Sequence, residues 1–141
     1  MTLIAALLSV LSLVAMLAVG LILFRLLFRS MLRLLSSLSG WQYLSLRFPE
    51  IEGQFDAKTW RFCSVRLGGI DYKSCVTVTL SEQYVTLKIG FPFRDFHPNL
   101  SIPRSLLESG LRSTFWLTEF RITDEQTSLW FNNRVASKLL Q

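Results

Sequence analysis

Acid–base, thiol or metal chemistry in this 141-residue chain would have to come chiefly from one histidine, two cysteines and ten carboxylates. His97 has the one side chain whose ordinary pKa suits a general base near neutrality, and Asp95 stands two residues before it. No serine or cysteine motif marks a nucleophile, however, and Pro98 directly after the imidazole points to a loop with a structural job. A hydrogen-bonded structural role is therefore expected for His97. Cys63 and Cys75 stand 12 residues apart with no second pair, whereas zinc ordinarily takes four ligands in close pairs. On the predicted hairpin the two thiols could face each other and pair in an oxidising compartment; cytoplasmic placement leaves them free and buried. The carboxylates are scattered singly, Asp124 and Glu125 fall in a turn, and no glycine-rich phosphate loop follows a strand. These residues give no reason to expect an enzyme, a metal site or a cofactor.

Arg25, Arg29 and Arg33 follow one another at i, i+4 and i+8, so they line one face of a helix. Leu26, Leu27, Phe28, Met31, Leu32, Leu34 and Leu35 cover the rest, the pattern of a helix partly submerged in lipid headgroups. The arginines either snorkel to phosphates or hold a specific anionic lipid or partner protein. Trp41 suits the same level, because indoles favour the membrane–water interface.

The element that positions these arginines precedes them. Thr2 to Phe24 contains no charge, and a helix of that length rises about 34 Å, enough to cross a hydrocarbon core of roughly 30 Å. A cleavable signal peptide would need a basic start, a shorter apolar core and a small-residue cleavage site, and none is clear here. Positive charge flanks the run only on its C-terminal side, so the N-terminus is expected outside and the remainder in the cytoplasm. Ala5, Ser9, Ser12 and Gly20 would let a second helix approach closely, although no GxxxG is present. Ser36, Ser37, Ser39 and Gly40 predict a hinge after this anchor, which divides the chain into 1–39 and 40–141.

The stretch from Trp41 onward is long enough for one domain with its own core. Its 12 basic residues nearly balance all 10 acidic ones, so the basic patch needed for nucleic-acid binding is missing. Trp41, Leu44 and Phe48 predict a short amphipathic helix ended by Pro49, and Glu50 to Lys58 a polar loop. From Trp60 the period changes to two. Trp60–Leu67, Tyr72–Leu80 and Tyr84–Ile89 read as an antiparallel meander, with Val76, Val78 and Leu80 inward and Thr77 and Thr79 outward. Leu100–Ile102 reads as a brief strand and Arg104–Ser109 as a helical turn. Phe115–Ile122 and Ser128–Phe131 form a second hairpin, and Asn132 or Asn133 caps a final helix, Arg134–Leu140, with Val135, Leu139 and Leu140 inward. The expected fold is thus a single transmembrane helix plus a small mainly-β domain of five or six strands with a C-terminal helix. Its strands would make a partly open antiparallel barrel or orthogonal sandwich, an element order that resembles pleckstrin-homology-like domains.

Phe91 to Leu106 reads FPFRDFHPNLSIPRSL and resembles a group of uncharacterised bacterial proteins with an N-terminal anchor and a segment of the form PFR..HPPLLIPWS. GWQYLSLRFP at Gly40–Pro49, GGIDYKSCVTVTL at Gly68–Leu80 and YVTLKIGFPF at Tyr84–Phe93 are similar to the same group. Asn99, Ser101 and Arg104 depart from the pattern's Pro, Leu and Trp. The resemblance implies the anchor and the fold, and no activity.

Phe91, Phe93, Phe96 and His97, among two prolines, are the candidate partner-binding residues, with core packing as the alternative for the phenylalanines. The expected function is a non-catalytic, membrane-tethered accessory or stabilising subunit docking on a larger membrane-protein complex. The alternative is a peripheral sensor or adaptor that binds anionic lipid headgroups or a soluble partner through the β-domain.

Overall fold

The computed structural model describes residues 2–54 and 56–141. The chain runs α1 (Thr2–Ser39), α2 (Trp41–Arg47), β1 (Lys58–Leu67), β2 (Ile70–Leu80), β3 (Tyr84–Ile89), β4 (Leu100–Pro103), a 3-10 turn (Arg104–Leu106), β5 (Leu107–Ser113), β6 (Leu117–Ile122), β7 (Ser128–Asn132) and α3 (Asn133–Leu139). Phe55, within the loop expected at 50–58, lies outside the described residues.

Two compact units divide the chain, Met1–Leu32 and Arg33–Gln141. The first is helical and nearly all apolar, with Leu3, Leu7, Leu11, Leu17, Leu21 and Phe24 exposed. α1 is the one helix among the described residues long and apolar enough to cross a membrane. Its backbone bonds are closed internally, which is what a hydrocarbon environment demands. Instead of loosening across the expected serine hinge, the helix continues through Ser36 and Ser39 and breaks only at Gly40, whose φ of 79° is left-handed. Ser36 and Ser39 are helical because both side chains are buried and bonded, as described below.

The second unit is built on one seven-stranded antiparallel sheet, order β4-β3-β2-β1-β7-β6-β5, curled into a half-barrel. Alternation supplies its inner face: Val76, Val78 and Leu80 of β2, Val85, Leu87 and Ile89 of β3, Leu100 and Ile102 of β4, Phe120 and Ile122 of β6, and Leu129 and Phe131 of β7 are buried. Trp41 and Leu44 of α2 and Val135 and Ala136 of α3 join the same core. Asn132 caps α3 by accepting from the Val135 amide at 3.1 Å. Leu140, expected inward, is exposed because the helix ends before it.

Among the described residues seven strands replace the five or six expected, and the helical turn expected at 104–109 is only a three-residue 3-10 turn. The unforeseen strand is β5, polar and non-alternating, which exists through its pairing with β6 from Leu107↔Ile122 to Ser113↔Thr118. Such an edge strand draws its order from a neighbour's hydrogen bonds and needs no apolar face of its own.

β1 shows a second departure from simple alternation. Trp60 and Cys63 both pack on the core although three residues apart, so one extra residue must be absorbed. A bulge between Trp60 and Cys63 does this, with Phe62 at φ 55° and its ring 79% exposed.

The register yields a prediction. Val78 is fully buried while Thr77 is half-buried on the other face. Val78→Asp should cost several kcal/mol by burying an unpaired charge, and Thr77→Asp much less. Chemical denaturation of the two variants checks the difference.

Candidate functional site

Gly90 to Asn99 leaves β3 and returns at β4 as the segment carrying the sole histidine and three phenylalanines. Because its prolines cannot donate to a ladder, its anchorage must come from side chains. The Ser36 hydroxyl donates to the Phe96 carbonyl. The Trp41 indole Nε1 donates to the Pro98 carbonyl at 2.8 Å. The Arg33 guanidinium lies 5.0 Å from the centre of the Phe96 ring, a cation–π contact. All three anchoring groups come from the last turns of α1 and the first residue of α2.

His97 is 1% exposed. Its Nδ1 is 3.0 Å from the Asp95 carbonyl, which can only accept, so Nδ1 carries the proton. In the neutral ring Nε2 then accepts from the Tyr72 hydroxyl at 3.1 Å, and Tyr72 in turn accepts from Ser39 Oγ at 2.8 Å. The Trp41 amide donates to the same Ser39 oxygen at 3.3 Å. The rings of Trp41, Tyr72 and His97 also meet edge to face, with centroids 5.4–5.6 Å apart. Burial pushes the His97 imidazole below its ordinary value, against smaller upward pulls from the Asp95 and Phe93 backbone, and holds the Tyr72 hydroxyl above its own. The group is neutral at pH 7, enclosed and fully partnered. It behaves as a structural histidine.

Local sequence explains how Tyr72 reaches this place. The β1–β2 turn runs so close to the end of α1 that a Cβ on Gly68 would lie 2.4 Å from the Ser39 carbonyl, and its φ of +55° is left-handed. Glycine alone fits there without displacement.

The segment expected to meet a partner is thus divided. Phe91 is 89% exposed and Phe93 37%, while Phe96 lies half-buried under Arg33 and His97 is interior. Trp41, expected at lipid headgroups, is fully buried: its indole bonds Pro98 and packs on Tyr72 and His97. Arg25, Arg29 and Arg33 are exposed on α1. Cys63 is buried and Cys75 half-buried, both are free thiols, and burial pushes both upward. Among the described residues no group of three His, Cys, Asp or Glu could hold a metal ion.

A second aromatic surface emerges where the sequence reading placed the start of a strand. The β5–β6 turn carries Phe115 and Trp116, 82% and 74% exposed and edge to face at 4.7 Å, with Leu111 94% exposed on β5. The turn is pinned from both sides. Thr114 N–H donates to the Leu117 carbonyl at 2.7 Å, while Asn133 donates its amide to the Trp116 carbonyl at 3.0 Å and its side chain to the Phe115 carbonyl at 2.8 Å. Two adjacent aromatics after Ser113-Thr114 were the available signal, since neighbours on a strand cannot share one buried face. Protein-family models yield no match to this chain, and no curated protein matches it.

Two outcomes are expected at the histidine cluster. Tyr72→Phe strands His97 Nε2, while the Ser39 hydroxyl keeps its longer bonds with the Ser36 carbonyl and the Trp41 amide, both at 3.3 Å, and the change should cost about 1–3 kcal/mol. For His97 the folded pKa lies below the unfolded value near 6.5, so the unfolded chain takes up more protons between the two. Stability is then complete above about pH 7 and declines as pH falls through 6.5 toward the folded value. His97→Gln should flatten that decline, read from denaturation midpoints between pH 7 and 5. Glu50 and Asp71, held low by Lys88 and Arg66 respectively, act only at more acidic pH.

Proposed function

We propose that this chain is a non-catalytic, membrane-tethered accessory or stabilising subunit docking on a larger membrane-protein assembly, its N-terminus outside and its β-domain in the cytoplasm. The observation that carries this reading is the Phe115–Trp116 tip. Water opposes the display of two such rings side by side, and exposed apolar clusters commonly mark contact sites. Their backbone is already held by Thr114 and Asn133, so a partner would gain aromatic contact area with little loss of loop entropy. Aromatic side chains are frequent interface hot spots for this reason.

The helix supports the same reading. Leu34 and Leu38 are exposed on α1 opposite the turns where Ser36 and Ser39 are buried, and the spacing continues backward through Met31 and Leu27. A helix with one side given to its own domain and the other left apolar suits packing against a second membrane helix.

A second reading is a peripheral adaptor that binds anionic lipid or a soluble partner through the β-domain. It is favoured by a groove of about 640 Å³ beside the tip, lined by Val65, Arg66, Lys73, Trp116 and Leu117 among others. Its mixed charged and apolar wall suits a small or extended ligand.

Gentle detergent extraction separates the readings. A stoichiometric complex should co-purify with the native chain, and Phe115→Ser with Trp116→Ser should reduce recovery of the complex by about tenfold or more with circular dichroism unchanged. An isolated monomer would favour the adaptor. Topology is read at the exposed Glu82, because Cys75 is half-buried. With Cys63→Ala and Cys75→Ala in place, a membrane-impermeant thiol reagent should label Glu82→Cys only after permeabilisation.

A further inference from the structure

We propose that the Phe91–Arg94 edge of the aromatic loop is a bilayer contact, with Phe91 seated in the headgroup layer of an anionic membrane and Arg33 and Arg94 at lipid phosphates. The inference rests on the membrane-tether reading and adds to it a second attachment, made by the β-domain itself. It separates the role of this loop from that of the Phe115–Trp116 tip.

The uncharged run ends at Phe24 and the second unit begins at Arg33. Nine helical residues rise only about 13 Å, and headgroups occupy roughly 5–7 Å on each side of the hydrocarbon core. The unit therefore starts close to the headgroups. Its first residue is the one stacked on Phe96, and the next turn holds the Phe96 carbonyl through Ser36. The loop is tied to the point at which the chain enters the domain.

Phe91, between Gly90 and Pro92, is 89% exposed. Arg33, Arg94 and Asp95, also exposed, leave the edge with one net positive charge. An exposed aromatic ring on a loop that carries one arginine and packs against another matches the headgroup level, where rings are favoured and each basic residue gains from anionic lipid. The Ser36, Trp41 and Tyr72 bonds fix the base of the loop, so its exposed rim can meet lipid without first becoming ordered.

The test uses the full chain with Cys63→Ala, Cys75→Ala and Phe91→Cys, labelled with an environment-sensitive fluorophore. The protein is reconstituted in vesicles of phosphatidylcholine with phosphatidylglycerol. Headgroup-level nitroxide lipid should quench this label at least about twofold more than the same label at Leu111→Cys, and Arg94→Glu should reduce the difference. No quenching at position 91 overturns the proposal. Equal quenching in pure phosphatidylcholine overturns the assignment of the two arginines to lipid charge. Should the labelled variant misfold, hydrogen exchange of residues 90–98 in the native chain replaces it. Slower exchange in anionic vesicles than in detergent is expected, and equal rates overturn the contact. Protection that occurs in native membranes but not in pure lipid also overturns it, in favour of a protein contact. Co-purification through Phe115 and Trp116 is measured separately, so either reading can fail alone.

Discussion

The β-domain is organised around a buried hydroxyl–imidazole chain at its entry. Ser39, Tyr72 and His97 come from the end of α1, from β2 and from the loop after β3, and each is nearly inaccessible to water. A polar atom in that position must find a protein partner, and here each finds the next. The chain has one consistent direction, from Ser39 through Tyr72 to His97 and the Asp95 carbonyl. Three segments far apart in sequence are thereby held in one arrangement. Trp41 seals the group with its ring and secures Pro98 with its indole nitrogen.

Around that junction the half-barrel obeys ordinary sheet physics, with its exceptions at the edges. The β4 edge is covered by the chain after α2, through the Pro49–Leu100 bridge and the Ser101 amide to the Phe48 carbonyl. The β5 edge carries Glu108 and Arg112 and an irregular register near Gly110. Charge and a bulge both discourage a further strand from adding there. Gly110 is also required locally, because a Cβ would lie 2.7 Å from the Glu119 side chain.

The two exposed aromatic sites share a design in which side-chain bonds hold the backbone and leave rings outward. Their surroundings differ. Phe91 belongs to a loop that carries Arg94 and packs Phe96 under Arg33, whereas Trp116 lines a groove with acidic as well as basic walls. The first suits a charged lipid surface and the second a protein or peptide surface.

Spacing between near neighbours was enough for the long apolar helix, the β1–β3 meander and the inward set Val76, Val78 and Leu80, and it narrowed the α3 cap to Asn132 or Asn133, of which Asn132 makes the bond. The structural role of His97 was legible for a similar reason, in that Pro98 implied a loop. β5 was not legible, since its order comes from β6. The inward place of Trp41 was equally hidden, because an amphipathic indole suits a membrane interface as well as a core, and the carbonyl of Pro98 decided between them. Phe115 and Trp116 read as strand residues until the Asn133 bonds turned them outward. Local spacing specifies which stretches are apolar, how they alternate and where chain direction can change. Which polar groups meet and which aromatic rings stay outside follows from the folded arrangement, because both depend on contacts between residues tens of positions apart.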